Sequence, residues 1–287
     1  MRTTHNTRLF GFLCHPIGEE LIHEMFSWGA EITDADAACL QFDAQAKDMR
    51  AVIAGLHALK ATGVYLTGRL RTSATGIADY LSDEAHGTGV TNVITFENDR
   101  TTGHNTEAQA IISVLEPYHQ TFARGSAVVL GGGAMARSVM YALVRHFRMK
   151  NIAIADRTLQ QAQLLRQTFS EMASPSARIE AHELFPPDIA QLLAEARLIV
   201  NTTPIGTVAS LDQSPITVPD IFHNRQVVMD VNFGPAITRM LAEAAASGST
   251  IISGAEVLIR QVAQAYELLT HSEFPTDRIR AMLVAHE

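Results

Sequence analysis

The chain has 287 residues, of which 47% are hydrophobic and 18% charged, so it holds enough apolar material for two globular domains and shows neither disordered nor fibrous bias. Its 22 basic and 30 acidic residues leave a formal charge of −8 without a basic cluster, which argues against nucleic acid and anionic membrane as partners. Two cysteines, Cys14 and Cys39, form no disulfide framework, and neither a signal peptide nor a run of ~18 apolar residues for a membrane helix is present, so a reducing cytoplasm is expected. Short apolar runs then alternate with stretches of helical period, the pattern of βα units. The first third predicts strands at 8–14, 37–42, 63–67 and 91–96, with helices at 19–28, 44–61 and 72–81. A helix over 106–118 leads to a more regular series. Its strands are predicted at 126–130, 151–155, 177–181, 198–201, 227–231 and 250–252, and its helices at 134–148, 159–172, 187–196 and 236–247. Helices at 255–270 and 275–285 follow after that second sheet is complete.

The run Ser126-Ala127-Val128-Val129-Leu130 passes directly into Gly131-Gly132-Gly133-Ala134-Met135-Ala136 and a helix. Gly131, Gly133 and Ala136 meet the G-x-G-x-x-A spacing: a tight turn, close approach of a pyrophosphate to the backbone, and close helix packing. Amides of this turn at a helix N-terminus suit phosphate, so the segment points to NAD or NADP. The end of the next strand carries Asp156-Arg157-Thr158. Asp156 suits the ribose 2′-hydroxyl of NAD, Arg157 suits the 2′-phosphate of NADP, and Asp156 equally suits capping the following helix. The fold class is therefore α/β. An N-terminal α/β substrate domain is expected over 1–105 plus 255–287, and a Rossmann-type doubly wound parallel sheet over 106–254, with a small ligand between them.

Five further segments resemble, in order, motifs of the shikimate/quinate dehydrogenase family. Gly89-Val90-Thr91-Asn92-Val93 is similar to its G-A-V-N-T, and Gly103-His104-Asn105-Thr106-Glu107 to its G-x-N-T-D. Asn201-Thr202-Thr203-Pro204-Ile205-Gly206 resembles N-A/T-T/S-P-x-G. The segment from Asp230 to Leu241 resembles D-x-x-Y-x-P-x-x-T-x-x-L, and that from Ser253 to Gln261 resembles D-G-x-x-M-L-x-x-Q. The resemblance spans nearly the whole chain. It implies an NAD(P)-dependent dehydrogenase linked to aromatic amino acid biosynthesis, with Thr202, Thr203, Pro204, Val231 and Gly254 at the cofactor. By the same resemblance Thr67, Asn92, Phe233 and Gln261 face the substrate.

Two departures stand out. The family's P-I-x-H-S-x-S motif brings two serine hydroxyls to the substrate carboxylate, whereas the segment from Pro16 through Glu19 and Glu20 to His23 is shorter and has no serine. The two glutamates would repel a carboxylate if they pointed inward, and they equally suit the start of a helix. The family's lysine follows an N-V-T-I-P strand; aligning Tyr65-Leu66-Thr67-Gly68-Arg69-Leu70-Arg71 puts Arg71 at the lysine and Glu107 at its partner aspartate. The only lysines are Lys47, Lys60 and Lys150. A guanidinium, with a pKa above ~12, takes no proton but polarises a carbonyl or stabilises an alkoxide. The proton then falls to Glu107 or to Tyr65, which shares a strand face with Thr67. Arg71 and Glu107 also suit an ion pair without proton chemistry. His104, beside the junction, is a further titratable candidate. Cys14, His15 and His23 complete no metal-ligand set, and no metal is expected.

The expected activity is hydride transfer between nicotinamide and the secondary alcohol or ketone of a small hydroxylated ring acid or a related compound, with weak or absent turnover of shikimate. The alternative is a catalytically silent dinucleotide-binding metabolite sensor of the same fold. A monomer or homodimer is expected.

Overall fold

The computed structural model describes residues 4–18, 20–185 and 187–286, so Glu19 lies outside the described residues. The chain divides into two compact units, Met1–Gln109 with Ile259–Glu287, and Ala110–Leu258.

In the first unit the strands are β1 (Arg8–Cys14), β2 (Ala37–Asp43), β3 (Gly63–Leu66), β4 (Tyr80–Leu81), β5 (Val93–Glu97) and β6 (Arg100–His104). They form one sheet in the order β2-β1-β3-β5-β6-β4. β1 runs parallel to β2 and β3, whereas β5 is antiparallel to β3 and β6. Central β1 is apolar on both faces, with Phe10, Phe12, Leu13 and Cys14 all buried, as a strand covered on both sides must be. The helix Leu21–Thr33 buries Met25, Phe26 and Gly29, and the helix Met49–Ala58 buries Met49, Ile53 and Leu56, each a stripe at helical spacing.

The predicted helix 72–81 is not continuous. Helix Leu70–Ser73 passes into a tighter turn at Ala74–Gly76, and Tyr80–Leu81 leaves as β4, paired with β6. The cause is Asp79: its carboxylate accepts from the Thr101 amide at 2.8 Å and hydroxyl at 2.9 Å, while its own amide donates to that hydroxyl. These bonds tie the chain just before β4 to β6, where Tyr80–Leu81 pairs as a strand instead of continuing the helix. β6 itself was not expected, because Arg100-Thr101-Thr102-Gly103-His104 lacks large apolar residues.

In the second unit β7 (Ser126–Leu130), β8 (Asn151–Asp156), β9 (Arg178–Glu183), β10 (Leu198–Asn201), β11 (Val227–Asp230) and β12 (Thr250–Ile252) form a wholly parallel sheet. Its order is β12-β11-β10-β7-β8-β9. Numbered within the unit, that is the doubly wound order 6-5-4-1-2-3, whose switch point lies between β7 and β10. Buried runs such as Val128, Val129 and Leu130 in β7 and Leu198, Ile199 and Val200 in β10 fit strands covered on both faces. The helix Ala134–Tyr141 continues as a wider π turn over Ala142–His146.

Candidate active site

At the switch point of the second unit, Gly131 follows β7 and Thr202 follows β10. Gly131 has φ +105°, and a Cβ there would lie 2.5 Å from the Thr202 hydroxyl oxygen, so only glycine fits. Thr202 is held in turn: its amide donates to the Leu130 carbonyl at 2.8 Å and its hydroxyl to the same oxygen at 2.7 Å. Gly133 is exposed, and a Cβ built on it meets nothing within 4 Å, whereas Ala136 is fully buried under the helix. Ala134 and Met135 are half-buried in the first turn, whose amides have no partner within their helix. An open turn backed by a tight glycine and opening a helix is a cradle for a pyrophosphate, so the residues present fit a dinucleotide. Asp156 ends β8 beside this turn. Its Oδ1 accepts the Thr158 amide at 2.8 Å, and its Oδ2 lies 3.2 Å from where a Cβ of Gly132 would stand. The carboxylate therefore braces the start of helix Leu159–Ser170 and faces the glycine turn at the same time. Arg157 and Thr158 are exposed.

The loops after β10 and β11 are tied by a buried polar node. Asn201 and Asp230 are register partners, and the Asn201 amide donates to both Asp230 carboxylate oxygens at 3.1 Å. Asp230 also accepts from the Thr238 hydroxyl at 2.8 Å and the Asn232 amide at 3.0 Å. Burial raises its pKa, against the pull of these donors. Asn201 Oδ1 takes the Thr203 amide and hydroxyl, and Asn232 donates to the Thr203 carbonyl at 2.9 Å. Gly254 completes the packing, since a Cβ there would stand 2.2 Å from the Asn232 carbonyl oxygen. Within this frame Thr203 is buried, Thr202 and Val231 are half-buried, and Pro204 and Phe233 are exposed. The sequence reading quoted Asn201, Asp230 and Asn232 only as motif letters. Their role emerges from the register that places two strand ends side by side.

A second polar cluster lies in the first unit, where β3, the residue before β5, the first turn of helix Thr106–Leu115 and helix Gly254–Thr270 contribute Tyr65, Asn92, Glu107 and Gln261. The Arg71 guanidinium donates through Nη1 to Glu107 Oε1 and through Nε to the Gly68 carbonyl at 3.0 Å. Glu107 is fully buried, whereas the Arg71 side chain is 22% exposed. The Glu107 charge raises the Arg71 pKa, outweighing burial, so Arg71 stays a cation. Tyr65 stacks on Phe12 at 5.4 Å and meets the edge of Phe26 at 5.3 Å. Its hydroxyl accepts from Gln261 Nε2. Burial and the Glu107 charge push its pKa well up, so it remains a phenol. Asn92, expected at the substrate, is bound on both sides by Thr106: Oδ1 takes the amide at 2.9 Å and Nδ2 donates to the hydroxyl at 2.8 Å. Thr67 is half-buried. His104 bonds Thr95 at 3.1 Å, and burial lowers its pKa. Cys14 and His23 have packing roles, Cys14 Sγ accepting from Gln41 and His23 meeting the edge of Phe12. Among the described residues no three His, Cys, Asp or Glu side chains converge on a metal site, and no helix is long and apolar enough to cross a membrane.

Residues 127–212 match the family model of the saccharopine dehydrogenase NADP-binding domain. A shikimate dehydrogenase (NADP(+)) of Pelodictyon phaeoclathratiforme is 31% identical over 80% of this chain and 80% of its own. The chain belongs to the shikimate/quinate dehydrogenase family. It is an NAD(P)-dependent oxidoreductase of that family. Solved structures share its fold end to end. The shikimate 5-dehydrogenase from Listeria monocytogenes, in complex with shikimate and NAD, superposes with a TM-score of 0.90 at 23% identity, covering 99% of this chain and 98% of that one. The ligand-free 5-ketofructose reductase of a Gluconobacter strain gives 0.87 at 20% identity, covering 99% and 100%.

Proposed function

We propose that the first unit binds a small polyhydroxylated alcohol or its ketone, that the second holds the nicotinamide nucleotide, and that Arg71 and Glu107 handle charge and proton where relatives carry lysine and aspartate. The observation that carries this reading is the pair of partly exposed Arg71 with buried Glu107, both close enough to act electrostatically on the Tyr65 hydroxyl. When bound, the nicotinamide accepts or supplies the hydride. Gly131, Gly132, Gly133, Ala134, Met135 and Ala136 hold its pyrophosphate, and Thr202, Thr203, Pro204, Val231 and Gly254 frame the reactive end.

Arg71 keeps its charge and one edge of its guanidinium outside the pair, so it donates to the substrate oxygen and stabilises charge developing there. Tyr65 does not take the hydroxyl proton, because burial holds it as a phenol. Glu107 accepts that proton at a carboxylate oxygen in oxidation and returns it in reduction. Thr67 presents a hydroxyl for recognition, while Asn92 and Gln261 position Thr106 and Tyr65. The missing serine pair leaves a ring carboxylate without its usual anchor, which supports weak turnover of shikimate. That a 5-ketofructose reductase shares the fold supports a substrate recognised by hydroxyl and carbonyl groups alone.

Steady-state assays with NAD and NADP across shikimate, quinate, neutral polyols and ketoses test the reading. Turnover with one of these is expected. Glu107→Gln should lower kcat by about 10² to 10⁴, the usual contribution of a positioned proton acceptor, with nucleotide affinity unchanged. Arg71→Lys should raise turnover of shikimate. Tight nucleotide binding without turnover of any compound would replace this reading with a metabolite sensor.

A further inference from the structure

The carboxyl ends of the three parallel strands of the first unit carry a polar pair that the proton chemistry does not use. β1 is flanked by β2 and β3, with Cys14 in register with Asp43 and Phe12 in register with Tyr65. Phe12 stacks on Tyr65, so those two share a face of the sheet. Side chains alternate along a strand, so Cys14 and Thr67, two residues further on, return to that face, with Asp43 beside Cys14. His15 follows and turns its ring to the same carboxylate: Nδ1 lies 2.6 Å from Asp43 Oδ1. The backbone of this segment is pinned to β2. The Cys14 carbonyl accepts the Ala44 amide at 2.9 Å, and Gln41 Nε2 donates to the Gly18 carbonyl at 2.7 Å. Both side chains of the pair are about half exposed, at the edge of parallel strands where an α/β sheet receives its ligand.

With Asp43 at Nδ1, the neutral ring carries its proton there and leaves Nε2 as an acceptor. A hydroxyl can donate to it. An ionised carboxylate cannot, and it would also meet the charges of Asp43 and Glu20, both near enough to act on the Cys14 thiol. We propose that the His15–Asp43 pair is a second substrate anchor, which binds a hydroxyl of an uncharged polyol or ketose away from the carbon that reacts at Arg71 and sets a preference for neutral substrates. Asp43 fixes the ring and Nε2 makes the contact. The inference rests on the reading that this unit binds the substrate, and it adds two residues to which no role has been given.

Steady-state kinetics of the full chain with NAD and NADP, using fructose, sorbitol, shikimate and quinate, test it. His15→Ala should raise KM for the neutral compounds about tenfold, the weight of one lost hydrogen bond, with kcat little changed. His15→Gln keeps an acceptor on a side chain of similar reach and should recover part of that loss. Asp43→Asn should raise the same KM less, and should lower KM for shikimate and quinate by removing a repelling charge. An exposed ion pair that touches no ligand would move none of these values, and thermal melting should stay unchanged in every variant. Unaltered KM in His15→Ala, an equal rise for neutral and acidic compounds, or a preference of the unaltered chain for the acids would overturn the anchor and leave the dehydrogenase reading standing. If the unaltered chain turns over none of the four, magnetic resonance of the His15 ring decides. A shift on adding sorbitol or fructose keeps the anchor without the catalysis, and no shift overturns both.

Discussion

The two units hold their polar groups in opposite ways. In the second, the proposed nucleotide site is built from backbone: a glycine at φ +105°, an open turn, and strand ends fixed by a wholly parallel sheet. In the first, the proposed site is built from side chains: an ion pair, a phenol and two carboxamides. A backbone site tolerates drift in sequence as long as the small residues stay. A side-chain site changes chemistry with a single replacement, and in the proposed reading Arg71 and Glu107 are such replacements.

The largest effect is expected in the side-chain site. Arg71→Met leaves the Glu107 carboxylate buried without its countercharge and should cost about 3–5 kcal/mol of stability. Chemical denaturation followed by signals from the first unit would show it. Adding Glu107→Leu to that variant should recover most of the loss, since a matched apolar pair escapes the desolvation of either ion. If the single replacement proved neutral, the pair would not be the organising contact of this cluster.

The backbone site predicts a smaller loss of stability and a sharper loss of binding. Gly131→Ala forces a Cβ to within 2.5 Å of the Thr202 oxygen at a left-handed φ, at a cost of about 1–3 kcal/mol. Nucleotide affinity should fall by more than tenfold in titration calorimetry while the first unit's melting is unchanged. Gly133→Ala, with open space around its Cβ, should leave stability intact and weaken nucleotide binding alone. Retained affinity in both variants would place the pyrophosphate elsewhere.

The same contrast explains how much was legible in sequence. β1, β7 and β10 were placed with their observed limits because short apolar runs such as Leu198-Ile199-Val200 suit doubly covered strands. β6 was missed because a strand built from threonine and glycine carries no apolar period, and the two-residue turn Asn98-Asp99 lacks the glycine that marks a hairpin in sequence. Arg71 and Glu107 were readable as candidates from alignment of motifs. That Asn92 spends its amide on Thr106, and Gln261 on Tyr65, depends on contacts between segments far apart in the chain, which no local pattern encodes.

The smallest predicted effect concerns His104, named in sequence for its place at the junction and found half-buried against Thr95. Burial lowers its pKa in the native protein, more than the carboxylates of Glu84 and Glu97 raise it, so the unfolded chain binds the proton more tightly. Its contribution to stability is therefore complete above the unfolded imidazole value of about 6.5 and is lost as pH falls through the lower folded value. Nuclear magnetic resonance titration of the imidazole should give a midpoint below that of a free histidine. Thermal melting between neutral and mildly acid pH should fall less steeply in His104→Gln than in the unaltered chain. A midpoint above the free value would mean that the two glutamates dominate, and the imidazole would then be a cation poised to act on a substrate oxygen rather than a packed strand residue.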